Sequence, residues 1–250
     1  MKDFISRPKY FSRVKPYINT SLIKVFIGQR RVGKSYLMKQ IQQEIKKHKK
    51  YNFIYIDKEN ESFRGITNAT SLSEYIKTHS VKKDGIVNYV FIDEIQEIEG
   101  FENSVRSFAA QPNYDIYITG SNSEILSGEL ASRLSGRYIE IPIYSLDFNE
   151  FCEFHCLTKD PVSVNLFLKY GGMPFLKNLA LQDELAFEYL NNIFTSILYR
   201  DIITRYSIRN VNFLDRLIHF TAGNIGSILN AKKISDYLKS QKTNISVCRI

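Results

Sequence analysis

The chain has 250 residues, 44% of them hydrophobic, with three cysteines and a formal net charge of +8. This length fits one large domain, or a core with a smaller domain. The sequence has no apolar stretch of the roughly 20 residues that a membrane span needs, and its amino-terminal residues lack the apolar core of a signal peptide. Three cysteines are too few for a disulfide framework. These exclusions predict a soluble, cytoplasmic protein, and the positive charge favours anionic partners such as nucleotides or nucleic acid.

The first 143 residues alternate between short apolar runs and longer helical patterns. The runs that predict strands are 22–28, 51–57, 88–94, 114–120 and 137–143. The helices predicted between them are 34–49, 71–79, 101–110 and 123–131. Nearly continuous apolar strands that alternate with helices are typical of parallel sheets buried on both faces. We therefore expect an α/β fold with a parallel five-stranded sheet flanked by helices.

A phosphate-binding pattern follows the first predicted strand, where Gly28-x-x-x-x-Gly33-Lys34-Ser35 matches the P-loop in full. Glycines let successive N–H groups face one anion, and the following helix adds its positive dipole end. Lys34 is predicted to reach the β- and γ-phosphates, and the Ser35 hydroxyl to ligate Mg²⁺. The alternative, a chance match on a glycine turn, is disfavoured by the strand before it and the amphipathic helix after it. The predicted phosphate-binding residues are Gly28, Gln29, Arg30, Arg31, Val32, Gly33, Lys34, Ser35 and Tyr36.

Two carboxylates, Asp93 and Glu94, end the apolar strand at 88–94. Asp93 is predicted to hold Mg²⁺, and Glu94 to orient and deprotonate a water that attacks the γ-phosphate. Solvated carboxylates at a strand end are the alternative. One further predicted strand lies between this one and the P-loop strand, which favours the P-loop branch that uses a catalytic Glu and includes the AAA+ ATPases. No Asn-Lys-x-Asp segment is present to bind guanine, so adenine is favoured.

Polar and basic residues surround the next predicted strand end. Thr119, Ser121 and Asn122 lie at or just past its tip, where a side chain can bind the attacking water or the γ-phosphate, the role called sensor 1 in AAA+ proteins. Ser121 and Asn122 are the favoured candidates, and an ordinary turn is the alternative. Arg133 and Arg137 precede the fifth strand. One of them is a candidate arginine finger for the ATP of a neighbouring subunit, and surface arginines beside a turn are the alternative.

Strand signals vanish after residue 143. The helical patterns that follow are 146–157, 164–171, 184–206, 211–221, 224–229 and 231–240. We expect a P-loop core at 1–145, an all-α helical lid at 146–210 and the start of a winged-helix or helix-turn-helix segment at 211–250. Residues 230–250 are predicted to form a helix, a turn and the start of another helix that stops without a cap, so we expect this segment to be cut short.

Six segments of the sequence resemble the predicted bacterial and archaeal AAA+-type, STAND-like P-loop ATPases: GQRRVGKSYL, YVFIDEIQ, YITGSNSEIL, ELASRLSGRYIEIPIYSLDFNEF, KYGGMPFL and LYRDIITRY. In that family a P-loop domain precedes a helical lid, a winged-helix-like segment and a C-terminal domain of unknown function. The resemblance implies ATP or ADP bound with Mg²⁺, with Ser35 and Asp93 on the metal and Glu94 on the water. It also implies that Pro174, in the Gly-Gly-Met-Pro stretch, approaches the adenine. A helix end with a rigid turn is the alternative for this stretch.

Two functions stay open at this stage. The first is Mg²⁺-dependent ATP hydrolysis coupled to a conformational switch, which rests on Lys34, Ser35, Asp93 and Glu94 together. The second is a nucleotide-held regulatory switch with little turnover, in which the C-terminal helical segment engages DNA or a protein partner. Either function is compatible with an oligomer, and neither involves a membrane.

Overall fold

The computed structural model describes residues 5–47, 50–121, 134, 136–204, 207–208 and 210–240. The chain divides into two compact units, Met1–Tyr189 and Leu190–Ile250. Of the helices in the described ranges, none is both long and apolar enough to cross a bilayer. The domain boundaries predicted at 145 and 210 stay predictions.

The first unit contains one five-stranded parallel sheet. Its strands are β1 (Ile23–Gly28), β2 (Tyr51–Asp57), β3 (Val87–Asp93), β4 (Tyr114–Ser121) and β5 (Tyr138–Pro142). Their order is β2-β3-β4-β1-β5, and every neighbouring pair is parallel. β4 therefore lies between the P-loop strand and the strand that carries the two carboxylates, which is the predicted P-loop branch. The predicted α/β fold class is confirmed.

Helices cover both faces of this sheet: α1 (Pro8–Val14) and α2 (Lys34–Ile45) lie on one face, and α3 (Ala69–His79) and α4 (Phe101–Ala109) lie on the other. Three further helices follow β5 in the chain, namely α5 (Phe148–His155), α6 (Pro161–Tyr170) and α7 (Asp183–Ser196). Side chains alternate along β1, so Ile23 and Val25 share a core with α3 and α4, while Phe26 shares the opposite core with α1 and α2. The helix predicted at 123–131 lies outside the described residues, and α1 was not predicted.

Side-chain caps mark where several helices begin. Asn68 forms a capping box with Ser71 at α3, and Asp147 forms one with Glu150 at α5. Each box satisfies backbone N–H groups that have no partner within the helix. Asp160 accepts a hydrogen bond from the Ser163 N–H at the start of α6. These polar residues fix where α3, α5 and α6 begin.

A buried ion pair joins β1 and β4 near the amino end of the sheet. Lys24 and Asp115 are both fully buried and in direct contact. Asp115 Oδ2 also accepts hydrogen bonds of 2.8 Å from the Tyr117 hydroxyl and from the Asn19 N–H. Burial lowers the pKa of Lys24 and raises the pKa of Asp115, and the partner's charge opposes both shifts. The pair is thus a fully desolvated charge cluster within the core.

The second unit consists of helices and turns over the residues that the structure describes. A π-helical segment, Ile197–Thr204, precedes α8 (Val211–Gly223) and α9 (Ala231–Ser240). The rings of Phe220 and Tyr237 stack with their centroids 4.4 Å apart and so join α8 to α9. The helix predicted at 224–229 is wrong, because residues 224–227 form a turn and a bend and residues 228–229 have no regular structure. Gly226 within this stretch disfavours a helix by about 1 kcal/mol relative to alanine and has a left-handed backbone, with φ 84°.

Candidate nucleotide site

The P-loop lies at the carboxyl end of β1, between that strand and α2. Gly28 approaches the next strand end so closely that a Cβ there would lie 2.2 Å from the carbonyl oxygen of Ile143. Gly33 has φ +102°, a left-handed conformation that glycine adopts without strain, and it precedes α2 without a side-chain cap. The first N–H groups of α2 have no intrahelical partner and are available to an anion.

Lys34 is enclosed by the loop that it follows. The side chain is 4% exposed, and its Nζ donates hydrogen bonds to the carbonyl oxygens of Gly28 at 3.0 Å and Gln29 at 3.2 Å. The same Nζ lies 3.9 Å from Glu94 Oε1. Burial lowers the pKa of Lys34, while the charges of Glu94 and Asp93 oppose that shift. The ammonium group therefore lies between the P-loop carbonyls and the two predicted acidic residues.

Asp93 is held by hydroxyl groups on the two strands beside it. The Thr119 hydroxyl on β4 donates to Asp93 Oδ1, and the Tyr55 hydroxyl on β2 lies 3.3 Å from Asp93 Oδ2. Thr119 Oγ1 also accepts a hydrogen bond of 3.0 Å from the N–H of Glu94. Burial, together with the charge of Asp93, raises the pKa of Tyr55. Thr119 thus fixes the side chain of one acid and the backbone of the next.

Glu94 turns the chain at the tip of β3. Its φ of 54° and ψ of 56° lie in the left-handed region, which is uncommon for a residue with a side chain. Consecutive residues of a regular strand point to opposite faces, and this turn ends that alternation. Glu94 Oε1 consequently faces Lys34, and Glu94 Oε2 accepts a hydrogen bond of 2.5 Å from Gln96 Nε2.

The donor set fits a magnesium ion. Ser35 is the second residue of α2 and offers a hydroxyl oxygen, and Asp93 offers a carboxylate at the carboxyl end of β3. Hydroxyl and carboxylate oxygens are the ligands that Mg²⁺ prefers. Among the described residues, no group of three or more His, Cys, Asp or Glu side chains forms a metal cluster, so a metal here would depend on these two residues together with phosphate oxygens.

The other predicted phosphate-loop residues differ in exposure. Arg30 is half-buried, whereas Tyr36 is 63% exposed. Val32 is buried and its carbonyl oxygen is bound by the Arg7 guanidinium at 3.0 Å. Arg31 has a left-handed backbone, with φ 64°, and its guanidinium lies 5.8 Å from the centre of the Tyr189 ring. The loop is therefore linked to α1 on one side and to α7 on the other.

Of the predicted sensor and finger residues, the structure describes only part. Ser121 is the last residue of β4, while Asn122 and Arg133 lie outside the described residues. Arg137 is exposed and its carbonyl oxygen accepts a hydrogen bond from the Ile23 N–H, at the amino end of the sheet. At about 3.3 Å per residue, a five-residue strand separates it from the P-loop end by about 16 Å. Arg137 therefore does not reach the P-loop of its own chain, and its action on a neighbouring subunit stays a prediction.

Pro174 begins the 3₁₀ turn Pro174–Leu179, directly after a buried Met173. The next residue, Phe175, packs on Tyr189 with ring centroids 4.9 Å apart. Tyr189 in turn faces Arg31 of the P-loop. The Gly-Gly-Met-Pro stretch is thus connected to the P-loop through two aromatic rings, and the proposed contact of Pro174 with adenine stays a prediction.

Arg7 is a buried residue that the sequence analysis missed. Its guanidinium forms a two-pronged ion pair with Glu150 of α5, with both N···O distances 2.8 Å. It also donates to the carbonyl oxygens of Val32, Tyr144 and Ser145 at 3.0–3.3 Å. Arg7 therefore connects the P-loop to the start of the helical segment after β5. Its partners lie up to 143 residues away, so no local pattern indicates this role.

The chain is similar in sequence to a known family of domains and to two curated proteins. A family model described as an AAA domain matches residues 20–152. A protein of Haemophilus influenzae described as uncharacterized is 35% identical over 254 residues, which cover 98% of this chain and 62% of that protein. An uncharacterized protein of Methanocaldococcus jannaschii is 35% identical over 238 residues, covering 90% and 52%. The chain thus spans between half and two thirds of the length of these curated relatives.

Solved structures give a more distant likeness. The Thermotoga maritima RuvB Holliday junction branch migration motor is 12% identical with a TM-score of 0.47, over 96% of this chain and 83% of that chain. Cdc6p from Pyrobaculum aerophilum is also 12% identical with a TM-score of 0.47, over 77% and 64%. At this identity and TM-score the likeness has no bearing on function.

Proposed function

The chain belongs to the family of AAA domains, and from that premise we propose that it binds ATP with Mg²⁺ in the cytoplasm and hydrolyses it to drive a conformational switch. The observation that carries the proposal is the convergence of Lys34, Asp93 and Glu94 at one end of the sheet. Lys34 Nζ lies 3.9 Å from Glu94 Oε1. Asp93, at the end of β3, accepts a hydrogen bond from the Thr119 hydroxyl on the adjacent strand β4. A cation, a metal-binding carboxylate and a base around a P-loop are the groups that phosphoryl transfer to water requires.

Each of these groups has a distinct task in the proposed reaction. The N–H groups at the start of α2 and the Lys34 ammonium bind the β- and γ-phosphates. Ser35 and Asp93 would hold Mg²⁺, which when bound neutralises charge on the phosphate oxygens. Glu94 orients the attacking water and accepts its proton at a carboxylate oxygen. Thr119 keeps the backbone of Glu94 in register with Asp93 through its 3.0 Å hydrogen bond.

A second candidate is a nucleotide-held switch with slow turnover. The supporting observation is that both carboxylate oxygens of Glu94 already have partners, Lys34 on Oε1 and Gln96 on Oε2. These partners occupy part of the acceptor capacity of the carboxylate, which leaves fewer directions from which it can take a proton from water. In this case ATP or ADP acts as a long-lived ligand, and the helical segment 211–250 engages DNA or a protein partner. An oligomer in which Arg133 or Arg137 acts on a neighbouring subunit is compatible with either function.

The test is Mg²⁺-dependent phosphate release from ATP, measured beside ATP affinity for the wild type, Lys34→Ala and Glu94→Gln. We expect Lys34→Ala to lose ATP affinity, and Glu94→Gln to keep affinity while losing at least about 100-fold in release, the usual contribution of a general base. Release by Glu94→Gln at the wild-type rate would contradict the assignment of the base. ATP binding without release by the wild type would favour the slow switch, and stimulation by duplex DNA would identify a DNA partner. No ATP binding would refute both candidates.

A further inference from the structure

We propose that Gln96 is a positioning residue for the carboxylate of Glu94, an inference that rests on the proposed role of Glu94 in ATP hydrolysis. Gln96 follows Glu94 by two residues, within the 3₁₀ turn Ile95–Glu97. Its amide Nε2 donates a hydrogen bond of 2.5 Å to Glu94 Oε2. Because the bond spans a tight turn, the local backbone itself holds the two side chains at this distance.

Glu94 also dictates which way the Gln96 amide faces. Gln96 Oε1 is buried and, within the part of the chain that the structure describes, has no hydrogen-bond partner. Turning the amide over would place Oε1 against a carboxylate oxygen, where two acceptors repel each other. A buried acceptor without a partner costs free energy. The fold accepts that cost at a residue whose donor faces the predicted base.

Nucleotide binding is expected to draw Lys34 away from Glu94 but to leave the hydrogen bond from Gln96 to Glu94 in place. Lys34 Nζ lies 3.9 Å from Glu94 Oε1, and in the proposed function this ammonium is attracted to the β- and γ-phosphates, which compete with Glu94 for it. The neutral amide of Gln96 has no net charge for the phosphates to attract. It therefore keeps Glu94 Oε2 oriented while Oε1 remains able to accept a proton from water.

The inference predicts a loss in kcat without a loss in ATP binding. Gln96→Leu removes the donor, and Gln96→Asn keeps an amide that is one methylene too short to reach Glu94. We expect kcat to fall about 10- to 100-fold in both, the size of effect produced by misplacing a reacting group by about 1 Å, with KM for ATP within about twofold of wild type. The matched control is Gln42→Leu on α2, whose side-chain nitrogen is buried without a described partner and which we expect to keep the wild-type kcat.

A double variant separates positioning from structural damage. Because Gln96 is proposed to act through Glu94, adding Gln96→Leu to Glu94→Gln should lower the residual rate no further. An additive loss in the double variant, or a raised KM with unchanged kcat in the single variants, would overturn the inference. Unchanged kcat in Gln96→Leu, beside a Glu94→Gln variant that has lost turnover, would overturn it and leave the proposed hydrolysis intact. A wild type without turnover would overturn both.

Discussion

Replacing Arg7 with alanine should destabilise the protein by about 3–5 kcal/mol, because it leaves a buried carboxylate without its counter-charge. The side chain of Arg7 is 8% exposed and that of Glu150 is 14% exposed, so solvent replaces the lost partner poorly. The carbonyl oxygens of Val32, Tyr144 and Ser145 lose a donor in the same change. A total stability of about 5–15 kcal/mol is usual for a native protein, so the variant should fold but with a strongly reduced margin.

Urea unfolding of the Arg7→Ala variant measures this loss directly as a change in midpoint. Arg7→Lys should recover only part of it, because an ammonium group lacks the planar fork that binds both oxygens of Glu150. Lys9→Ala is the matched control: its ion pair with Asp147 is 3.5 Å long with a 61% exposed lysine, and such surface pairs contribute at most about 1 kcal/mol. If Arg7→Ala cost no more than Lys9→Ala, the assigned role of Arg7 would be refuted. Since Arg7 also binds the P-loop through Val32, we expect Arg7→Ala to weaken ATP binding as well.

Two further predictions concern the sheet. Thr119→Val keeps the shape of the side chain but removes the hydroxyl that donates to Asp93 and accepts from the Glu94 N–H. We expect the free energy of unfolding to fall by about 1–3 kcal/mol and the rate of Mg²⁺-dependent phosphate release to fall as well. Wild-type values for both would contradict the assigned role of Thr119. Lys24→Met should cost about 3–5 kcal/mol in urea unfolding because Asp115 is left charged in the core, and a second change, Asp115→Asn, should restore part of that loss. Burial raises the pKa of Asp115, so in the Lys24→Met variant this carboxylate binds a proton more readily in the folded protein than in the unfolded chain. The stability of the variant should therefore rise as the pH falls from 7 toward the ordinary carboxyl range. A flat pH dependence would argue against a charged, buried Asp115.

The sheet and its P-loop were predictable because their signals are local. An apolar run predicts each of the strands β1 and β3. The glycines of the P-loop follow the apolar residues of β1, and the two carboxylates directly follow the apolar residues of β3. The helix α1 was missed because it buries only Tyr10 and Val14, too few positions to display a helical period. The turn at 224–227 was missed because Ile225, Ile228 and Leu229 are spaced as on a helix, although Gly226 lies among them.

The contacts between elements were not predictable from local patterns. Thr119 contacts Asp93 because of the register in which β4 pairs with β3, and no local sequence pattern specifies that register. In the sequence, Gln96 is only one residue of a segment that resembles the family. Its hydrogen bond to Glu94 depends on a left-handed backbone at Glu94, which the sequence Asp-Glu-Ile-Gln does not predict. The contacts of Arg7 could not be predicted either, because its hydrogen-bond partners come from three separate segments of the chain.

The left-handed backbone of Glu94 sets stability against activity at a single position. Such a conformation costs a residue with a side chain about 1 kcal/mol or more, and glycine avoids most of that cost. A programme of thermostabilisation that ranked substitutions by folding energy alone would therefore favour glycine at position 94, and in doing so would delete the proposed base. Selection for heat resistance and selection for turnover should consequently pull this position in opposite directions.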